Sequence, residues 1–130
     1  MNQPSHPLPS QDLRAYLVSY PQELAFGDDE PGAVFDRYHT PDFVLYNDGL
    51  PLDRDRLLAH VTPARKRAAS VHTDVHEVLA TGDQVAARYT LTAVMRRGQR
   101  IATEIFLFGE LHPDGRLRHI HQLTRPAPDS

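Results

Sequence analysis

Three short glycine turns divide the second half of the chain into alternating apolar runs, and this pattern restricts the fold more than any other feature. Val71, Thr73, Val75 and Leu79 alternate up to the turn Thr81-Gly82-Asp83. Val85, Ala87, Tyr89, Leu91 and Ala93 alternate up to Arg97-Gly98. The run Ile101 to Leu111 ends at Pro113-Asp114-Gly115, and a last strand is predicted from Arg116 to Thr124. Such turns join only antiparallel neighbours, because a parallel crossover needs about a dozen residues or more.

The first half reads differently. Ser10 can cap a helix on which Leu13, Tyr16, Leu17, Tyr20 and Leu24 share one face. Pro21 falls inside it and predicts a kink or break beside Tyr20. Pro31 opens a short second helix ending near His39-Thr40-Pro41. Phe43 to Tyr46 reads as a first strand stopped by Asn47-Asp48-Gly49. Asp53 caps a third helix carrying Leu57, Leu58 and Val61, with Pro63 kinking or dividing it. Helices first and a meander afterwards predict an α+β fold with an antiparallel sheet.

At 130 residues the chain suits one domain. Prolines at both ends mark residues 1–10 and 126–130 as flexible tails around a domain at 11–125. Without cysteine, thiol chemistry is excluded. A net charge of -3 with interleaved signs offers no basic stripe for nucleic acid. No apolar run suits a membrane span and the first residues lack signal-peptide character, so the expected location is cytoplasmic.

In Ile101–Leu111 both strand faces are apolar: Ile105 and Leu107 on one, Phe106 and Phe108 on the other. The helices can cover one face. A second copy is the simplest cover for the other, so a homodimer through the outer sheet face is expected, with the C-terminal tail as the alternative cover.

The order helix, helix, strand, helix, four strands resembles the nuclear-transport-factor-2-like superfamily, which includes ketosteroid isomerase, SnoaL-like polyketide cyclases and limonene epoxide hydrolase. Gly27-Asp28 followed by Pro41-Asp42-Phe43-Val44-Leu45-Tyr46-Asn47 is similar to the family's passage into its first strand. Phe106-Leu107-Phe108 before Asp114-Gly115-Arg116-Leu117 is similar to its F-x-F hairpin. The resemblance implies a cone, a curved antiparallel sheet wrapped by three N-terminal helices around an apolar pocket, whose cavity is faced by Tyr89, Leu91, Glu104, Phe106 and Phe108, with Ile120 and Gln122 from the last strand. Tyr16 and Tyr20 would face it from the first helix, Leu45 and Asn47 from the first strand. A mostly apolar cavity with few polar groups suits a hydrophobic small molecule.

By the same resemblance Tyr20 stands at the isomerase's oxyanion tyrosine and Glu104 at its oxyanion aspartate. Asn47 occupies the base position, a departure, since an amide takes no proton near neutral pH. Buried between aromatic rings, Glu104 would have a raised pKa and serve as the acid/base. The epoxide hydrolase trio is missing, its positions reading Leu45, Tyr89, Leu91 and Gln122. Gln122 also stands near the carboxylate usual in the cyclases, and His119 and His121 flank it facing away.

His72, Asp74 and His76 form a stripe too far from His119 and His121 for one metal site, so no metal and no cofactor is expected. Arg65-Lys66-Arg67 complements a helix C-terminus and is able to guide an anion. Two functions follow. One is a cofactor-independent cyclase or isomerase of a carbonyl-bearing, polyketide- or steroid-like substrate, using Glu104, Tyr20 and Asn47. The other is a non-catalytic small-molecule-binding or assembly domain, favoured by Asn47 and Gln122 in place of carboxylates.

Overall fold

A computed structural model describes residues 6–128. The elements are α1 (Leu13–Phe26), α2 (Pro31–Tyr38), β1 (His39–Asn47), β2 (Leu50–Asp53), α3 (Arg54–Ala59), α4 (Val61–Arg67), β3 (Ala68–Thr81), β4 (Gln84–Met95), β5 (Arg100–Leu111) and β6 (Leu117–Pro126). The strands form one curved, open sheet in the order β2-β1-β6-β5-β4-β3. The α+β reading holds. The sheet is mixed rather than wholly antiparallel, because β1 runs parallel to β6 with Leu45 beside Ile120 and Asn47 beside Gln122. No helix among the described residues is long and apolar enough to cross a membrane.

Several boundaries differ from expectation for local reasons. Asp12, not Ser10, caps α1, its carboxylate accepting from the Ala15 amide at 2.9 Å. Pro21 does not break α1, because the helix is held to β3 by Arg14 on the Val75 carbonyl and Gln22 on the Val71 carbonyl. The third helix divides at His60 and not at Pro63, which falls in the first turn of α4, where no amide is required. Asp48-Gly49 does more than end a strand. Both residues have positive φ, 50° and 88°, the geometry of a two-residue hairpin turn, so β2 folds back on β1.

The tails are also less free than expected. Pro9 is fully buried, and the Ser10 amide donates to the Gly115 carbonyl at 3.2 Å. Pro126 is still in β6, and the Ala127 amide donates to Ala102 at 2.9 Å. Through Pro128 the C-terminus therefore extends the sheet and does not fold over its face; residues 1–5 and 129–130 lie outside the described residues.

The core sits between α1, α2 and the concave face of the sheet, around Phe35, Tyr38, Val85, Ile105, Leu107 and Ile120. Leu117, at the start of β6, is fully buried there. Leu117→Ala is expected to lower unfolding free energy by about 2–5 kcal/mol in chemical denaturation, the cost of a buried leucine-sized void.

Candidate functional site

Pairing register decides which side chains meet inside the cone. β4 and β5 are joined by Arg96-Arg97-Gly98, a three-residue loop with Gly98 at φ 93°, closed by the Met95 amide on the Gln99 carbonyl at 2.7 Å. That loop length sets Tyr89 opposite Ile105 and Ala87 opposite Leu107. On the other side Leu107 lies opposite Gln122. Opposed residues share a face, so Tyr89, Ile105, Leu107 and Gln122 all point inward.

The expected inward placement of Glu104, Phe106 and Phe108 is therefore corrected. All three lie on the outer face, with Phe106 41% and Phe108 54% exposed. Glu104 is covered, but by arginines: Arg125 Nε donates to Oε1 and Arg88 Nη1 to Oε2 at 3.3 Å. The Arg125 bond, followed by the remaining charge contacts, holds its carboxyl below the ordinary range and outweighs burial. This is opposite to the raised value a proton-shuttling carboxylate needs. The strand is apolar on both faces, so alternation alone could not tell inside from outside.

The inner cavity has a volume of about 260 Å³. It brings together Tyr16, Tyr20, Leu45, Tyr89, Leu91, Ile120 and Gln122. Asn47 joins through Gln122, whose Nε2 donates to the Asn47 Oδ1 at 2.9 Å. The wall also contains a residue with no role in the sequence reading, His39. Only 2% exposed, it stacks on Phe35 and meets the edges of Tyr16 and Tyr20. The signal was its place four residues after Phe35 and four before Phe43 on an apolar stripe, which the expected helix end obscured.

Three contacts fix His39. Its Nδ1–H donates to the Phe35 carbonyl at 2.8 Å, since a carbonyl only accepts. Its Nε2 is then the acceptor for the Tyr16 hydroxyl, also at 2.8 Å. Arg116 Nη1 donates to the carbonyls of His39 and Asp36, each at 3.2 Å. Arg116 is itself held by the Asp114 carboxylate, so the turn after β5 clamps the α2–β1 junction.

Burial lowers the His39 pKa to about 4, partly opposed by the Phe35 bond and by Asp36. Burial likewise raises Tyr16, Tyr20 and Tyr89 above the usual phenol value, so all three stay protonated. Among the described residues the Tyr20 and Tyr89 hydroxyls have no hydrogen-bond partner, yet neither is sealed from solvent. The cavity thus holds neutral donors and one neutral imidazole, and among the described residues no carboxylate lines it.

Elsewhere, His121 stacks on Tyr46 at 4.4 Å and His119 approaches Glu110 at 3.8 Å, both away from the cavity. His72 pairs with exposed Asp74 at 3.0 Å, while His76 bonds Thr90. Among the described residues no three histidine, aspartate or glutamate side chains converge as a metal site would require. Arg65 does serve a helix end, that of α1, through its Nε on the Leu24 carbonyl at 2.7 Å.

The His39 pKa has a stability consequence. The folded chain resists protonation that the unfolded chain accepts below about 6.5, so this contribution is full above that pH and is lost as pH falls through about 4. The loss is about 3 kcal/mol. Denaturation midpoints measured from pH 7 to 4 should fall for the native chain, and less steeply for His39→Gln.

The SnoaL-like domain model matches residues 22–120. Among solved structures, AclR of Streptomyces galilaeus, a proposed hydroxylase, superposes with a TM-score of 0.63 at 18% identity, covering 85% of this chain and 79% of that one. IdmH of Streptomyces antibioticus, a proposed polyketide cyclase, gives 0.61 at 18%, covering 79% and 84%. A proposed polyketide cyclase of Acidithiobacillus ferrooxidans gives 0.61 at 21%, covering 82% of each chain. No curated protein matches the sequence. At these identities the structures establish shared fold, while the family model spans most of the chain: it belongs to the SnoaL-like domain family.

Proposed function

We propose that the chain is a cofactor-independent isomerase or cyclase that binds a carbonyl-bearing apolar molecule in the inner cavity, with His39 in the role first given to Glu104. The observation that carries this reading is His39 itself, a buried imidazole with a fixed tautomer and its basic nitrogen beside two tyrosines. A pKa of about 4 leaves it neutral at physiological pH. Bases of roughly that strength suffice for cofactor-free enolisation when the substrate oxygen receives good donors.

In the proposed step Tyr16 releases Nε2 as substrate enters. Nε2 takes a proton from the carbon next to the carbonyl, and the C–H electron pair becomes the enolate. Tyr20 donates to the enolate oxygen, with the Asn47–Gln122 pair and Tyr89 as further polar contacts. In an isomerase the imidazolium, still bonded to the Phe35 carbonyl, returns the proton to the far carbon of a conjugated dienolate; in a cyclase the enolate carbon attacks a second carbonyl and the imidazolium protonates the alkoxide oxygen so formed. Leu45, Leu91 and Ile120 hold the hydrocarbon. At about 260 Å³ the cavity is below the roughly 300–1,000 Å³ of drug-sized sites, so it suits a single-ring head group.

The second reading is a binding domain without catalysis, favoured because Tyr16 already occupies Nε2. Proton–deuteron exchange next to the carbonyl of cyclopentanone, followed by NMR, separates the two. Catalysis predicts exchange above buffer, level from pH 5 to 8 and falling near pH 4. His39→Gln should slow it about 10²–10⁴-fold, the usual contribution of a general base, and Tyr20→Phe should also slow it. Binding without exchange leaves the non-catalytic domain.

The same proposal includes a homodimer through the outer sheet face. Phe106, Phe108 and Leu123 are exposed there beside Leu79, around a groove of about 740 Å³. Contiguous apolar surface of this kind marks an interaction site, and a second copy supplies a self-complementary cover. Sedimentation should give a dimer for the native chain and a monomer for Phe108→Asp; a native monomer at high concentration would refute it.

A further inference from the structure

We infer that the site has a second chamber, which takes an unbranched alkyl arm of the ligand whose carbonyl head lies by Tyr20 and His39; this rests on the reading of the inner cavity just given. A cavity of about 210 Å³ lies between the second half of α1, the α3–α4 corner and β3. It shares Pro21, Leu24, Leu57 and Leu91 with the inner cavity, so one layer of side chains serves both. Its remaining wall includes Ala25, Val61, Ala64 and Val71, and among the described residues His60 is its one polar side chain.

Three arguments select a hydrocarbon arm as the occupant. The wall is almost entirely carbon, so water there finds few partners and is readily displaced. Ala25 of α1 and Ala64 of α4 both line it, and their small side chains leave the space open. Finally, the inner cavity alone falls short of the usual volume of a small-molecule site, whereas the two joined fall within it.

The cover over this chamber is light. α3 has no buried residue and α4 only Val61. Elements with so few buried contacts open at low free-energy cost. The Arg65–Leu24 bond ties α4 to the end of α1, while α3 is held through the partly buried Leu57 and Leu58. The ligand class is accordingly a small cyclic ketone carrying a linear alkyl chain.

Binding of a 2-alkylcyclopentanone series, from the unsubstituted ring to the octyl compound, tests this by calorimetry. Affinity should rise about fourfold per methylene over the first few carbons, the worth of one buried CH₂, and then level off. Ala64→Phe should abolish the rise and leave cyclopentanone binding unchanged. Affinity independent of chain length overturns the chamber, as does a rise that survives both Ala64→Phe and Ala25→Phe. A parallel series of alkylbenzenes isolates the head-group reading. If these gain with chain length, lose the gain in Ala64→Phe, and bind as well as the ketones, the chamber stands and the carbonyl assignment falls. Methyl NMR of the native chain gives a readout free of any folding defect: Val61 and Val71 should shift with the hexyl ketone and not with cyclopentanone, and equal shifts count against the chamber.

Discussion

The cross-strand pairing of β4, β5 and β6 decides which side chains line the cavity and which face outward. With Tyr89 opposite Ile105 and Leu107 opposite Gln122, one face of three strands becomes the concave wall and the other is left outward. Side chains repeat every two residues in a strand, so a slip by a single residue would exchange the two sets entirely. The glycine at the αL position of the Arg96-Arg97-Gly98 loop fixes that choice between β4 and β5. Packing of α1 and α2 against the concave side then follows from burial of their apolar stripes.

Within that wall, polarity is supplied without charge. Tyr16 and the Phe35 carbonyl satisfy both nitrogens of His39, so the imidazole is buried at no cost in missing hydrogen bonds. Charge is kept to the outer face, where Glu104 is shared between Arg88 and Arg125 and the latter lies 5.7 Å from the centre of the Phe106 ring. The segregation has a simple cause. An ionised group inside an apolar cavity pays a large desolvation penalty, whereas a neutral donor pays little once bonded.

Much of this was legible in the residues. The glycine turns and alternating runs gave the meander, the stripe from Leu13 to Leu24 gave α1, and the order of elements gave the family. Seven of the side chains assigned to the cavity do line it. Glu104 failed because Ile101–Leu111 is apolar on both faces, so its own alternation is symmetric. A three-residue loop between β4 and β5 puts Tyr89 and Glu104 on opposite faces, so the parity that the strand lacks is carried by the loop length. His39 was hidden by the end of α2, where a local pattern changes period and neither rule applies. The parallel β1–β6 pair was hidden because it joins distant segments, and no short-range signal encodes it.

That last pairing has a consequence for how the chain is made. β1 and β2 sit at one edge of the sheet and reach the remaining strands only through β6, near the end of the sequence. Until β6 emerges during synthesis, the hairpin carrying Leu45 and Asn47 has no neighbour in the sheet, and Arg116 is not yet present to fasten the backbone at His39. Closing so long a loop carries an entropic penalty that only the complete core offsets. The inner cavity is thus the last part of the domain to come into being, and a chain cut short before Leu117 would have a meander but no room within it.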